Sequence, residues 1–138
     1  PQPDAEALEF IQRMQNAPIL QRGEWSQIAI ADPVSDELVG DVGLFLGPDG
    51  DTAEVGFTLS RAAQGRGVAT AAVRAAIALV FVHSSAGWVR GITDARNLAS
   101  IKVLERVGMR RVESRAAVFK GENCTELVFA TKRERPRA

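Results

Sequence analysis

The sequence has few of the residues that form covalent cross-links or bind metals. Cys124 is the one cysteine among 138 residues, so an internal disulfide framework is excluded and a reducing compartment is expected. His83 is the one histidine, and a lone histidine with a single distant cysteine does not make the ligand set of a transition-metal site. We therefore expect no metal, and the cytoplasm is the default location.

The sequence also has no excess of charge of either sign and no long apolar run. Seventeen basic residues balance seventeen acidic ones, so there is no basic excess of the kind that nucleic-acid binding uses. The longest apolar candidate, Val68 to Val82, is interrupted by Thr70 and Arg74 and does not reach membrane-spanning length. The N-terminal residues do not have the pattern of a signal peptide. We expect neither a nucleic-acid partner nor a membrane partner.

What remains is the composition of one ordinary globular domain. Hydrophobic residues make up 46% of the chain and charged residues 25%, and 138 residues are enough for one core but not for two. The sequence therefore predicts a single domain over 1–138. Its basic end, residues 133–138, is expected to be a frayed tail.

Hydrophobic periodicity and turn residues predict a helix, three strands, a helix, a strand, a helix and two strands. This order indicates an α/β (α+β) fold, with a mixed, mostly antiparallel twisted sheet and helices on both faces. The first two strands are expected to form a hairpin. The predicted ranges are Asp4–Asn16, Trp25–Ala31, Leu38–Leu46, Thr52–Leu59, Val68–Val82, Trp88–Asp94, Leu98–Val107, Met109–Phe119 and Thr125–Lys132, with a turn at Gly121-Glu122-Asn123.

A glycine-containing turn separates the third strand from the Ala-rich helix. It reads Gln64-Gly65-Arg66-Gly67-Val68-Ala69. Glycines allow a tight turn and a close approach of the backbone to a ligand. The first amides of the following helix have no intrahelical acceptor and point toward an anion. The segment therefore predicts a phosphate-binding site.

Two segments carry a resemblance to a known family. The run from Glu54 to Leu59 followed by Gln64 to Thr70 resembles the acetyl-CoA motif of the GCN5-related N-acetyltransferases (GNAT), whose pattern is Gln/Arg-x-x-Gly-x-Gly/Ala. The run from Asp94 to Met109 is similar to the signature of the RimJ/RimL-like branch, Asn-x-x-Ser followed by a short helix and Gly-Phe. Met109 replaces the usual aromatic residue. The resemblance covers about Trp25 to Lys132.

The resemblance implies acetyl-CoA as cosubstrate and an amine that attacks the thioester directly. In the family, the strand before the glycine turn carries a bulge and splays from the next strand, and the pantetheine arm inserts in the gap. The backbone amides of the turn bind the pyrophosphate. The cofactor-binding residues that this implies are Phe57, Thr58, Leu59, Gln64, Gly65, Arg66, Gly67, Val68, Ala69, Thr70, Asn97 and Ser100.

Glu54 and Ser100 are the two candidate catalytic residues. A carboxylate at Glu54 would take the proton from an ammonium substrate, directly or through water. Ser100 would protonate the departing thiolate or hydrogen-bond the sulfur, since the chain contains no tyrosine for this role. The alternative for Glu54 is a solvated strand residue without a catalytic role. The alternative for Ser100 is a side chain that makes local backbone hydrogen bonds at the start of a helix. Asn97 is a candidate helix N-cap beside the pantetheine, and Lys102 or Arg106 could meet the 3′-phosphate.

The resemblance points to an N-acetyltransferase that acts on a primary amine, either a protein N-terminus or a small molecule. Family members normally begin with a strand and a helix, and we expect this sequence to lack both. An exposed sheet edge at the first strand would then favour a homodimer. One alternative is a non-catalytic acyl-CoA-binding module. A dinucleotide fingerprint is disfavoured, because it needs a glycine where this chain has Thr70.

Overall fold

One six-stranded sheet, in the order β1-β2-β3-β4-β6-β5, organises the protein. The computed structural model describes residues 20–32, 35–60 and 67–134. The predicted helix over Asp4–Asn16 lies outside these residues. The elements are β1 (Trp25–Ala31), β2 (Leu38–Leu46), β3 (Thr52–Leu59), α1 (Val68–His83), β4 (Trp88–Asp94), α2 (Leu98–Arg106), β5 (Arg110–Phe119) and β6 (Glu122–Lys132).

The sheet is mixed and mostly antiparallel, which confirms the predicted fold class. β3 and β4 run parallel, whereas the pairs β1–β2, β2–β3, β4–β6 and β5–β6 are antiparallel. The parallel pair is joined by α1, as a parallel connection requires a crossover. The predicted hairpin of β1 and β2 is also confirmed.

The core lies between the sheet and the two helices. Alternate residues of the central strands are buried, among them Val42 and Leu44 of β2 and Val55 of β3. α1 is apolar nearly all round, and its alanines allow close packing; Ala72 and Ala76 are fully buried. The described helices contribute to one continuous core with these strands.

α2 packs against β4 where β4 has a glycine. Leu104 is the buried residue of α2. A Cβ at Gly91 would lie 2.8 Å from a Leu104 methyl carbon, closer than atoms pack, so glycine lets the leucine side chain reach the strand. At the C-terminal end of α2, Arg74 of α1 donates a hydrogen bond to the carbonyl of Arg106 over 3.1 Å.

β5 is an edge strand with nearly all of its residues exposed. Its pairing with β6 has a register irregularity between Arg111 and Glu113, and it carries several charged side chains. Both features discourage pairing with another chain. The turn that joins β5 to β6 is not at Gly121-Glu122-Asn123 as the sequence suggested. Lys120 and Gly121 occupy the turn with positive φ angles of 52° and 79°, as in two-residue hairpin loops, and β6 therefore begins at Glu122.

Arg133, the first residue of the predicted frayed tail, is held in place by its side chain. Its guanidinium donates three hydrogen bonds, to the carbonyls of Phe81 (2.7 Å), Ser84 (2.8 Å) and Ala86 (3.0 Å). It also lies over the Phe81 ring, 4.7 Å from the centroid. The side chain thus satisfies carbonyls at the C-terminal end of α1, a position where a cation also complements the helix dipole. Residues 135–138 lie outside the described part.

Across the described ranges, no helix combines the length and apolar character needed to span a bilayer.

Candidate active site

The strands β3 and β4 separate, as the resemblance implies for the gap that holds the pantetheine arm. Their parallel pairing comprises three residue pairs and ends at Glu54 opposite Arg90, although both strands continue beyond these residues. The expected splay is therefore present. The expected bulge is not: β3 pairs with β2 in an uninterrupted register from Ala53 to Leu59.

A groove of about 560 Å³ opens beside the splay. It is bounded by the end of β3, the start of α1 and one side of α2. Because β3 has left β4 at this point, backbone groups on the β4 side of Phe57 and Leu59 are not used by the β3–β4 ladder. The lining residues are Phe57, Thr58, Leu59, Gly67, Ala69, Thr70, Asn97, Ala99, Ser100, Lys102, Val103 and Arg106.

The start of α1 presents backbone amides to this groove. Gly67 is the N-cap and has a φ of 77°, in the left-handed region that glycine adopts without strain. The first amides of a helix have no intrahelical acceptor, and Gly67 has no side chain that could cap them. Together with the positive end of the helix dipole, they form an environment that favours a bound anion.

The start of α2 forms the facing wall. Asn97 is the N-cap, and its side-chain oxygen accepts a hydrogen bond from the Ser100 amide over 3.1 Å, which confirms the predicted cap. Ser100 is half-buried and lines the groove. Lys102 and Arg106 are exposed on the same side of the helix and bring two positive charges to the groove.

A tight turn built by Asp94 connects β4 to this helix. One carboxylate oxygen of Asp94 accepts hydrogen bonds from the Arg96 amide (2.8 Å) and Nε (3.0 Å), and the other accepts from Nη2 (2.9 Å). These hydrogen bonds from Arg96 lower the pKa of Asp94 from 3.8 to about 2. Because the turn ends at Asn97, the ionised carboxylate supports the position of the α2 N-terminus.

The lowered pKa predicts a contribution to acid stability. The Asp94 carboxylate stabilises the folded state fully above about pH 4, and this contribution is lost as the pH falls toward 2. We expect Asp94→Asn to be less stable than the wild type at pH 6, with the difference shrinking as the pH approaches 2. Urea midpoints at several pH values measure this. A difference between the two proteins that stays constant over this interval would contradict the assignment.

Glu54 lies at the apex of the splay but does not line the groove. Arg90 Nε donates a hydrogen bond to Glu54 Oε1 over 3.0 Å. The Glu54 side chain is 20% exposed and that of Arg90 is 44% exposed. Glu54 is thus a paired carboxylate on an internal strand, at the end of the β3–β4 ladder and about three residues, or roughly 10 Å along the strand, from Phe57.

The structure brings most of the predicted cofactor-binding residues together. Those that line the groove are Phe57, Thr58, Leu59, Gly67, Ala69, Thr70, Asn97 and Ser100. Val68 is not among the lining residues and packs against the core. Gln64, Gly65 and Arg66 lie outside the described residues. Ala99 and Val103 were missed, although their spacing of four residues on one helix face could have indicated them.

Comparison with known proteins identifies the family. Residues 1–110 match the family model of the acetyltransferase (GNAT) domain. The chain is 32% identical over 94 residues to the Probable N-acetyltransferase YjcK of Bacillus subtilis (strain 168), over 67% of this chain and 52% of that protein. The chain belongs to the GNAT acetyltransferase family. It spans about half the length of this curated relative.

Solved structures share the fold at lower identity. A GNAT-family acetyltransferase from Bacillus anthracis superposes with a TM-score of 0.72 and 20% identity, over 77% of this chain and 65% of that one. A proposed ribosomal-protein-serine acetyltransferase from Vibrio cholerae gives a TM-score of 0.72 at 17% identity, over 94% and 88%. The spermidine N-acetyltransferase SpeG of Vibrio cholerae gives 0.71 at 16% identity, over 80% and 66%. At these identities the likeness shows the fold alone.

Proposed function

We propose that this protein is an acetyl-CoA-dependent N-acetyltransferase that acts on a primary amine. The observation that carries the proposal is a single groove that joins three features: the N-terminus of α1, two cationic side chains on α2 and the splay between β3 and β4. The first two suit phosphates and the third suits an extended arm. Family membership supports the same reading.

The residues present fit the parts of acetyl-CoA. The amides that follow Gly67 would bind the pyrophosphate, and Lys102 or Arg106 would neutralise a further phosphate. The part of β3 at Phe57 and Leu59, which lies beyond the end of the β3–β4 ladder, would hold the pantetheine arm as a strand holds its neighbour. Bound acetyl-CoA supplies the thioester, whose carbonyl carbon forms a bond to the amine nitrogen while its bond to sulfur breaks.

Two side chains would move the protons of this reaction. Glu54 would accept a proton from the ammonium group, directly or through water, so that the nitrogen lone pair is available. Ser100, on the α2 wall of the groove, would donate a hydrogen bond from its hydroxyl to the departing sulfur. The Ser100 hydroxyl makes no hydrogen bond to another residue of the described ranges, so it has a donor to offer.

The acceptor is proposed at the level of a class. Asn97-x-x-Ser100 at the start of α2 supports the RimJ/RimL-like branch, as does the similarity to the ribosomal-protein-serine acetyltransferase. Similarity to SpeG supports a polyamine instead. The screen therefore uses a peptide with an N-terminal serine, spermidine, free lysine and an aminoglycoside. A cytoplasmic location and a homodimer belong to the same proposal.

Calorimetric titration with acetyl-CoA, CoA and NAD tests the groove first. We expect acetyl-CoA to bind and Gly67→Glu to weaken it by about 100-fold or more, because a carboxylate at the phosphate site adds like-charge repulsion of several kcal/mol. Gly121→Glu is the matched control. Gly121 also has a positive φ, of 79°, and also has open space at its Cβ, but it lies in the β5–β6 turn.

The outcomes separate the proposals. Equal loss of binding in Gly67→Glu and Gly121→Glu would show a general effect of the substitution and contradict a phosphate site at α1. Binding of NAD in preference to acetyl-CoA would contradict the family function. Acetyl-CoA binding without thiol release in the presence of any amine of the screen would favour a non-catalytic acyl-CoA-binding module, a reading that the absence of Glu54 from the groove lining also supports.

A further inference from the structure

The ion pair of Glu54 and Arg90 occupies a special place in the sheet. Glu54 and Arg90 form the last residue pair of the parallel β3–β4 ladder. β3 is paired with β4 up to Glu54 and splays from it after this residue, while its pairing with β2 continues. On the β2 side, the residue paired with Glu54 is Phe45, whose ring contacts Trp25 and offers no hydrogen-bond donor to a carboxylate. Arg90 is therefore the neighbour that can direct this carboxylate.

The ion pair fixes the position of one carboxylate oxygen of Glu54 and leaves the other oxygen available. Arg90 Nε donates to Oε1 at 3.0 Å, and no other residue of the described ranges donates to the Glu54 carboxylate. A glutamate side chain has several rotatable bonds, and a single charge-assisted hydrogen bond removes much of that freedom. Oε2 then has a defined direction and is available to a proton donor.

We infer that Arg90 is a positioning residue for the proton transfer that Glu54 carries out. This inference rests on the proposed acetyltransferase function. Arg90 touches neither the groove nor the reacting atoms; it acts by keeping the Glu54 carboxylate at the apex of the splay. Without it, the carboxylate samples directions from which it cannot reach the amine, and catalysis is sensitive to such small displacements.

An exposed ion pair of this kind contributes little to folding stability, so its removal is expected to affect the rate and not the fold. The chain also offers a matched control on the same sheet. Arg115 Nε donates to Glu126 Oε1 over 3.1 Å, and its side chain is 42% exposed against 44% for Arg90. This second pair joins β5 and β6, away from the splay.

The test is a double-mutant cycle measured by thiol release, with the acceptor that reacts fastest among the four amines of the screen. Arg90→Met is expected to lower kcat by about 10-fold or more in the wild-type background and by less than about twofold in the Glu54→Gln background. The KM for acetyl-CoA stays the same. Arg90→Lys recovers most of the lost rate, because the contact is one hydrogen bond that an ammonium can also make.

Any of the following results would overturn the inference. An equal fall in kcat in both backgrounds would mean that Arg90 acts independently of Glu54. A rise in the acceptor KM without a change in kcat would make it a substrate-contacting residue. An equal fall in Arg115→Met would reveal a general effect of removing a sheet ion pair. If the wild type acetylates none of the four amines, the proposed function fails and this inference fails with it, whereas activity that Arg90→Met leaves intact refutes the inference alone.

Discussion

Glu54→Gln is expected to lower kcat by about 10²- to 10⁴-fold, the range in which general-base catalysis contributes. The amide has nearly the shape of the carboxylate and can still accept a hydrogen bond from Arg90, but it cannot take a proton from an ammonium group. Binding of acetyl-CoA is expected to be unchanged, since Glu54 does not line the groove. Steady-state thiol release and calorimetry measure the two quantities.

Glu126→Gln provides the control for this experiment. Glu126 is a strand carboxylate that also accepts from an arginine Nε, at 3.1 Å, but it lies on β6 beside β5. Its substitution should leave kcat unchanged. Retention of the wild-type rate by Glu54→Gln would remove Glu54 from the mechanism and leave proton removal to solvent.

The largest stability effect is expected from Arg133→Met. The substitution removes three hydrogen bonds from a charged donor to carbonyls and the contact with the Phe81 ring, while it keeps an apolar side chain of similar length. We expect a loss of about 3 kcal/mol in the free energy of unfolding and a fall in Tm of roughly 10 °C. Chemical and thermal denaturation measure both.

Lys132→Met is the neighbouring control. Lys132 also lies over an aromatic ring, with its Nζ 5.7 Å from the Trp88 centroid, but it is exposed and makes no hydrogen bond that joins it to α1. Its loss should change the free energy of unfolding by less than about 0.5 kcal/mol. Equal effects of the two substitutions would mean that the carbonyl contacts of Arg133 do not stabilise α1.

Local patterns were sufficient for most of the secondary structure. The strands β1, β2, β3 and β4 occupy the predicted ranges, since alternation and turn residues act over a few positions. Asn97 was predicted as a cap because capping depends on a side chain and an amide three residues apart. The β5–β6 turn lies earlier in the chain than predicted, because Lys120 adopts a positive φ, which is uncommon for a residue other than glycine.

The candidate site was predictable only in its motifs. The residues of the glycine turn and of the α2 N-terminus carry local signals, and the structure places most of their described members around one groove. Which residues share that groove with them depends on how α2 is seated on β4, through Leu104 and Gly91. Ala99 and Val103 have no signal of their own and enter the site through that packing.

By itself, the sequence determined the order of the described elements, their apolar faces and the two motifs of the family, because each of these depends on residues close together along the chain. Only the tertiary structure decided which strands pair and where a pairing ends. Arg90 meets Glu54 across 36 positions, and Arg133 meets the end of α1 across about 50. Such contacts follow from sheet register, and register is set by the packing of the whole core and not by any short segment.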